Sequence, residues 1–136
     1  MKNKLFKEET LDKKQGLNCT KCKQISDWSI VKEIIKLPKY CIFLMNRIDF
    51  VRSRKIDKFI EYPDELALND KFNPKMQYKL SSVIIHQGRL SQGHYTTVVK
   101  KKGKWYNCND LKVTEIQESE AFSKKAYILF YKRINC

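Results

Sequence analysis

The chain has 136 residues, of which 42% are hydrophobic and 12% aromatic, which is enough to build the core of one domain. Its formal charge of +13 comes mainly from lysines spread along the chain, a pattern that makes nucleic acid an unlikely partner. No apolar run is long enough for a signal peptide or a membrane span. Five irregularly spaced cysteines disfavour a disulfide framework, so we expect a soluble cytoplasmic or nuclear protein.

The first third of the chain predicts short elements. Residues 8–11 favour a helical turn, and residues 28–36 alternate apolar and polar side chains as a strand does. Residues 40–45 form a continuous apolar run, which predicts a strand buried on both faces. Cys41 lies inside this run, where an apolar environment would keep its thiol protonated and inert.

Cys19 and Cys22 are separated by two residues, a spacing that lets two thiolates bind one tetrahedral zinc ion. A structural zinc site needs four ligands, and the remaining cysteines, Cys41, Cys108 and Cys136, are isolated from one another. The pair therefore predicts half of a zinc site, which binds the metal stably only if another cysteine pair is supplied.

The middle of the chain predicts a strand over residues 56–61 and then a polar loop over residues 64–74, in which Phe72 is an apolar anchor. Another buried strand is expected over residues 78–86. His86 ends this strand ahead of a glycine, which favours a hydrogen bond to a loop over a catalytic or metal-binding role.

A hairpin organises the second half. Residues 96–108 contain two extended runs separated by a Lys-Gly turn signal at residues 102–103. Facing residues in such a hairpin have numbers that sum to about 205, which sets His94 beside Asn109 and Asp110. A side-chain oxygen at this place could orient a catalytic imidazole. An exposed hairpin with an incidental histidine is the alternative.

The end of the chain predicts three further elements. Residues 113–116 are expected to extend the second strand of the hairpin, and residues 118–125 carry a weak helical pattern. Residues 126–132 are rich in aromatic side chains and predict a closing strand.

Several blocks of the sequence, taken in order, resemble the ubiquitin-specific proteases over nearly the whole chain. The blocks are Cys19-x-x-Cys22, Leu37-Pro38-Lys39-Tyr40, Asn46-Arg47-Ile48-Asp49-Phe50, Val83-x-x-His86-x-Gly88, Gly93-His94-Tyr95-Thr96-Thr97, Trp105-Tyr106-Asn107-Cys108-Asn109-Asp110 and Ala126-Tyr127-Ile128-Leu129-Phe130-Tyr131. The resemblance implies an α+β, mostly antiparallel β fold that is the palm and part of the fingers of a papain-like cysteine protease. Residues 1–136 would then be one incomplete catalytic domain.

The resemblance also implies hydrolysis of the bond after the C-terminal glycine of ubiquitin, without a cofactor for catalysis. His94 would be the base, Asn109 would orient it, and Asp110 is the second candidate for that role. Gly93 and Tyr95 would border the channel for the ubiquitin tail. The implied partners are ubiquitin, ubiquitinated proteins, and an N-terminal half supplied by the full-length protein or by another chain.

None of the five cysteines matches the family's nucleophile, which follows an asparagine at a helix N-terminus. Two other functions therefore stay open. The chain could be an inactive remnant that still binds ubiquitin or another partner. It could also be a small basic β-domain that binds nucleic acid electrostatically and shares only the fold.

Overall fold

The computed structural model describes residues 9–11, 17–72 and 75–134. It divides into two compact units, the first made of residues 1–37 and 68–75 and the second of residues 38–67 and 76–136. Antiparallel strands dominate the part of the chain that is described, so the predicted mostly antiparallel β fold is confirmed. No helix within those residues is long and apolar enough to cross a membrane.

The first unit contains two small antiparallel pairs. Strand β1 (Glu9–Leu11) pairs with β4 (Trp28–Ile30), and β2 (Leu17–Asn18) pairs with β3 (Ile25–Ser26). The helical turn predicted for residues 8–11 is wrong at residues 9–11, because cross-strand pairing satisfies their backbone groups. The strand predicted over residues 28–36 is shorter than expected, since regular pairing stops at its third residue.

The remaining elements build a seven-stranded sheet, a separate small hairpin and one short helix. In chain order they are β5 (Tyr40–Leu44), β6 (Ile48–Asp49), β7 (Arg54–Lys55), β8 (Glu65–Leu68), β9 (Met76–Gly88), β10 (Gly93–Lys101), β11 (Lys104–Asn109), β12 (Lys112–Ile116), α1 (Glu118–Phe122) and β13 (Ala126–Arg133). The strand order is β12-β11-β10-β9-β13-β5, with β8 also paired to β9, while β6 and β7 form a separate two-stranded sheet. The predicted strands at β9 and β13 and the predicted helix at α1 are confirmed.

One face of the large sheet carries the core of the second unit. Side chains alternate along a strand, and in β9 the alternation shifts by one residue between Leu80 and Val83, where the pairing with β13 is irregular. The buried residues there are Tyr78, Leu80, Val83, Ile85, Val98, Trp105, Leu129 and Tyr131. The Phe122 ring of α1 packs 5.8 Å from the rings of both Trp105 and Tyr62, so the helix and the residues before β8 cover this face.

The opposite face of the sheet is open within the described residues. Ile42 and Leu44 of β5 are exposed there, so the prediction of a strand buried on both faces is wrong. Only the Cys41 side of β5 is covered, and burial raises the pKa of the Cys41 thiol. The predicted packing role of Cys41 is confirmed.

Two predictions for the middle of the chain are also wrong. Residues 56–61 form no strand, because the side chain of Arg47 binds the carbonyl groups of Ile56 and Lys58 in place of a neighbouring strand. The predicted loop over residues 64–74 contains β8, and Phe72 is exposed rather than anchored.

Candidate active site

The site lies where β10 begins and β11 ends. These strands pair with Thr97 opposite Cys108 and Lys101 opposite Lys104, which confirms the predicted register and turn. On its other side β10 pairs with β9, with His94 opposite Gln87. At His94 the backbone is therefore held by pairing with β9, while pairing with β11 begins three residues later, at Thr97.

His94 and Asn109 meet directly. Nε2 of His94 lies 2.6 Å from Oδ1 of Asn109, and because an amide oxygen only accepts, the imidazole donates this hydrogen bond. The Oδ2 atom of Asp110 is 3.8 Å from the same nitrogen, beyond hydrogen-bonding distance. The His94 side chain is 46% exposed, so a group from outside could reach its other ring nitrogen. Of the two orienting residues predicted, the structure brings Asn109 into contact.

Tyr95 lies on the opposite side of the strand from His94, since neighbouring residues of a strand face opposite ways. Its ring packs 4.7 Å from the His86 ring and 6.0 Å from the Tyr127 ring, while its own side chain remains exposed. His86 thus packs among aromatic rings, and within the described residues its imidazole forms no hydrogen bond to a loop, in contrast to the sequence-based expectation. Sequence reasoning missed Tyr127, because a β-bulge next to it hides which way its side chain points.

Gly93 precedes the histidine and lies against the His86 ring. A Cβ atom at Gly93 would stand 1.9 Å from Nε2 of His86 and 2.6 Å from the carbonyl oxygen of Gln87. The imidazole could move away, but the backbone oxygen belongs to the paired strand. Only glycine therefore fits at this position without a shift of β10 relative to β9.

We expect Gly93→Ala to lower the free energy of unfolding by about 1–3 kcal/mol, because the added methyl overpacks the strand pair. The urea unfolding midpoint measures this loss. Gly103→Ala is the control. A Cβ atom at Gly103 would meet open space, so the only cost expected is about 1 kcal/mol of backbone strain from its φ of +82°. Equal losses for both variants would contradict the crowding argument.

The cysteines lie elsewhere. Within the described part of the chain, no cysteine forms a hydrogen bond with His94, and Cys136 lies outside that part. Cys41 lies in β5. Cys108 and Asn109 are neighbours in β11, so the side chain of Cys108 points to the face opposite to that of Asn109. The structure therefore supplies an oriented imidazole without a described thiol to act on.

Cys19 and Cys22 lie in the tight turn between β2 and β3, both as free thiols. The backbone N–H groups of Cys22 and Lys21 lower the pKa of Cys19, as suits a thiolate ligand. No cluster of three or more His, Cys, Asp or Glu side chains that could hold a metal occurs among the residues described. Two thiols do not complete a tetrahedral site, so the zinc half-site stays a prediction.

Comparison with known proteins gives consistent matches. A family model described as "Ubiquitin carboxyl-terminal hydrolase" matches residues 3–131. Ubiquitin carboxyl-terminal hydrolase 25 of Arabidopsis thaliana is 33% identical over 97% of this chain and 21% of its own length. Ubiquitin hydrolase B of Dictyostelium discoideum is 36% identical over 89% of this chain and 28% of its own length. The chain thus spans less than a third of either relative.

Among solved structures, the chain is similar to one in the SAGA Ubp8/Sgf11/Sus1/Sgf73 DUB module bound to ubiquitin aldehyde. The TM-score is 0.75 and the sequence identity 28%, covering 95% of this chain and 31% of that chain.

Proposed function

Because this chain belongs to the ubiquitin carboxyl-terminal hydrolase family, we propose that it is part of a cysteine-type deubiquitinase, which hydrolyses the bond after the C-terminal glycine of ubiquitin. His94 is the general base in this proposal, and Asn109 orients it. The observation that carries the assignment is the 2.6 Å hydrogen bond between His94 Nε2 and Asn109 Oδ1.

This hydrogen bond decides which nitrogen does the chemistry. Since Asn109 Oδ1 only accepts, the proton of the neutral imidazole resides on Nε2 of His94, and Nδ1 keeps its lone pair. Nδ1 can then take the proton of a thiol as that thiol attacks the carbonyl carbon. The same nitrogen later returns a proton to the amine that leaves. Asn109 holds the ring in one orientation throughout both transfers.

The nucleophile comes, in this proposal, from outside the 136 residues, either from more of the same protein or from a second chain. The much greater length of the relatives supports this. The open face of the sheet supports it as well, because exposed apolar side chains such as Ile42 and Leu44 usually mark a surface that another segment covers. We assign the seven-stranded sheet to the palm and the strand pairs of the first unit to part of the fingers.

Gly93 and Tyr95 border the channel for the ubiquitin tail in this proposal. Gly93 presents no side chain, so an extended substrate can approach the backbone closely. The exposed Tyr95 ring, which packs 4.7 Å from the His86 ring, offers a flat apolar surface on the other side of β10 from His94. The solved DUB module has ubiquitin aldehyde bound, which supports ubiquitin as the partner.

Two matched variants test the role of Asn109 in an enzyme that includes the nucleophile. We expect Asn109→Ala to lower kcat about 10²-fold, because the imidazole loses the group that aligns it. Asp110→Ala should change kcat by less than about threefold, since its carboxylate lies 3.8 Å from Nε2. Hydrolysis of ubiquitin carrying a fluorogenic C-terminal amide measures both. The opposite ranking would assign the orienting role to Asp110.

A second candidate function is that of an inactive protein that binds ubiquitin. It is favoured by the absence of a hydrogen bond between His94 and any cysteine in the described residues. Calorimetry and an activity assay separate the two functions. The second would be supported if the native protein bound ubiquitin without hydrolysing its conjugates, and if His94→Ala left the Kd for ubiquitin unchanged.

A further inference from the structure

The backbone at His94 is supported by a neighbouring strand on one side. β10 pairs with β9 from Gly93 onward, whereas its pairing with β11 begins only at Thr97. The hydrogen bond between His94 and Asn109 therefore joins two strands whose regular pairing stops short of it. How well the imidazole stays aligned with Asn109 then depends on how firmly the end of β9 holds the start of β10.

The end of β9 also lacks a neighbour on its outer side. β13 pairs with β9 only as far as Ile85, which lies opposite Ala126. His86, Gln87 and Gly88 continue the strand beyond that point, with β10 as their neighbour. Successive residues of an antiparallel strand direct their backbone groups to alternate sides. The carbonyl groups of His86 and Gly88 therefore point to the same side of the strand and need a donor there.

The side chain of Lys55, in β7, supplies that donor. Its Nζ donates to the carbonyl oxygen of His86 at 2.6 Å and to that of Gly88 at 3.3 Å. The side chain is 11% exposed, so this contact is largely shielded from water. Lys55 thus takes the place of a strand neighbour at the end of β9.

The residue between these two carbonyl groups is the one that pairs with the histidine. His94 lies opposite Gln87 in the register of β9 and β10. The carbonyl oxygen of Gln87 faces β10, since it would stand 2.6 Å from a Cβ atom at Gly93. Because Lys55 binds the carbonyl groups on both sides of Gln87, it fixes the backbone against which His94 is paired.

The ammonium group of Lys55 is held in its own position by a carboxylate. Oδ1 of Asp57 lies 3.7 Å from Nζ of Lys55, and Oδ2 of Asp57 accepts a hydrogen bond from Nζ of Lys125 at 2.6 Å. The bond from Lys125 is the largest cause of the lowered pKa of the Asp57 carboxyl. An ammonium group has three donors and no acceptor, and here three oxygen atoms surround it.

We propose that Lys55 is a positioning residue for His94. It holds the end of β9, and the end of β9 keeps the imidazole within hydrogen-bonding distance of Asn109. Lys55 acts through Gln87 and touches none of the reacting atoms. Its effect on the reaction rate rests on the proposed function, whereas its effect on the geometry of His94 does not. A misplacement of about 1 Å can cost about 10²-fold in rate, so a small loosening of the strand end is sufficient.

The ring nitrogen signals of His94 measure this positioning in the folded 136-residue chain. With isotopically labelled histidine, the NMR shifts of Nδ1 and Nε2 at alkaline pH show which nitrogen carries the proton of the neutral imidazole. Lys55→Met keeps the apolar stem but removes the donors. We therefore expect the His94 shifts to move from those of a fixed Nε2–H form toward those of free histidine. Asn109→Ala, which removes the acceptor, gives the full size of that change.

Lys58→Met is the matched control, because Lys58 is an exposed lysine of the same segment whose side chain forms no hydrogen bond or ion pair within the described residues. Equal changes in the two methionine variants, or none in Lys55→Met, would overturn the proposal. If Lys55→Met does not fold, Lys55→Gln replaces it, since a shorter side chain that keeps a donor should give a smaller change in the same direction. Wild-type shifts equal to those of Asn109→Ala would overturn the proposal without any lysine variant.

Kinetics of an enzyme that includes the nucleophile give the second measurement. Lys55→Met should lower kcat about 10- to 100-fold and leave KM within about threefold, because the substrate still binds but meets a misaligned base. A lower urea midpoint with unchanged kcat and unchanged ring shifts would show a merely structural role and overturn the proposal. A wild-type enzyme without turnover, together with the expected ring shifts, would mean that the positioning stands while the proposed function fails.

Discussion

Replacement of His94 by alanine should lower kcat/KM for ubiquitin with a fluorogenic C-terminal amide by at least about 10³-fold in an enzyme that includes the nucleophile. The loss is large because no second imidazole can replace His94 at this place: the His86 imidazole packs among aromatic rings on the opposite side of the strands. Steady-state hydrolysis rates measure the effect.

The same variant should leave stability almost unchanged. The His94 side chain is 46% exposed and makes one hydrogen bond to the described residues, so its removal should shift the free energy of unfolding by less than about 1 kcal/mol. Full activity in a folded His94→Ala enzyme would exclude His94 as the base. Lost activity with lost folding would instead point to a structural role for the residue.

Replacement of Arg47 by methionine should lower the free energy of unfolding by about 3–5 kcal/mol, a large part of the stability of an ordinary domain. The side chain is 3% exposed, and its Nε donates to the carbonyl oxygen of Ala126 at 2.7 Å. Nη1 donates to the carbonyl oxygens of Ile56 and Lys58 at 3.0 and 2.7 Å. Methionine keeps the apolar stem but leaves three carbonyl groups without their donor.

The matched control is Arg52→Met, because Arg52 is an exposed arginine of the β6–β7 hairpin whose side chain, within the described residues, pairs only with Asp49. Its replacement should cost less than about 0.5 kcal/mol. Urea unfolding of the two variants measures the difference. An unfolding midpoint of Arg47→Met equal to that of the wild type would show that the guanidinium does not hold the segment after β7 to the start of β13.

The contact between His94 and Asn109 could be predicted because it depends on local chemistry. A Lys-Gly turn with both residues at positive φ closes the hairpin, and the turn then fixes which residues face each other along two regular strands. The choice between Asn109 and Asp110 could not be predicted. Asp110 adopts a φ of +50° in the turn to β12, which directs the chain away from the strand before its side chain can reach the imidazole.

That same turn explains an error in the predicted hairpin. Residues 112–116 form a separate strand that folds back on β11, with Asn109 opposite Lys112, rather than an extension of β11. Asn109 and Asp110 are residue types that tolerate turns, but no glycine or proline stands beside them to indicate that the strand turns here. Patterns of apolar residues alone do not separate one bent strand from two.

Contacts that join distant segments could not be predicted. The sequence over residues 47–55 suggests a basic turn and gives no sign that Arg47 is buried, because arginine is rarely buried without partners. Its partners are backbone carbonyl groups, which every residue has, so no side-chain pattern reveals them. Lys55, which binds the carbonyl oxygens of His86 and Gly88, was missed for the same reason.

The two histidines of this chain occupy different surroundings, and they are its only two. His86 lies 4.7 Å from the Tyr95 ring and 5.8 Å from the Tyr127 ring, so aromatic ring currents should displace its proton resonances. His94 is hydrogen-bonded to an amide and lies on the other face of the strands. A proton NMR spectrum of the unlabelled protein therefore contains imidazole signals from one histidine on each face of the same strand pair. The histidine whose signals shift when a ligand is added shows which face the ligand binds.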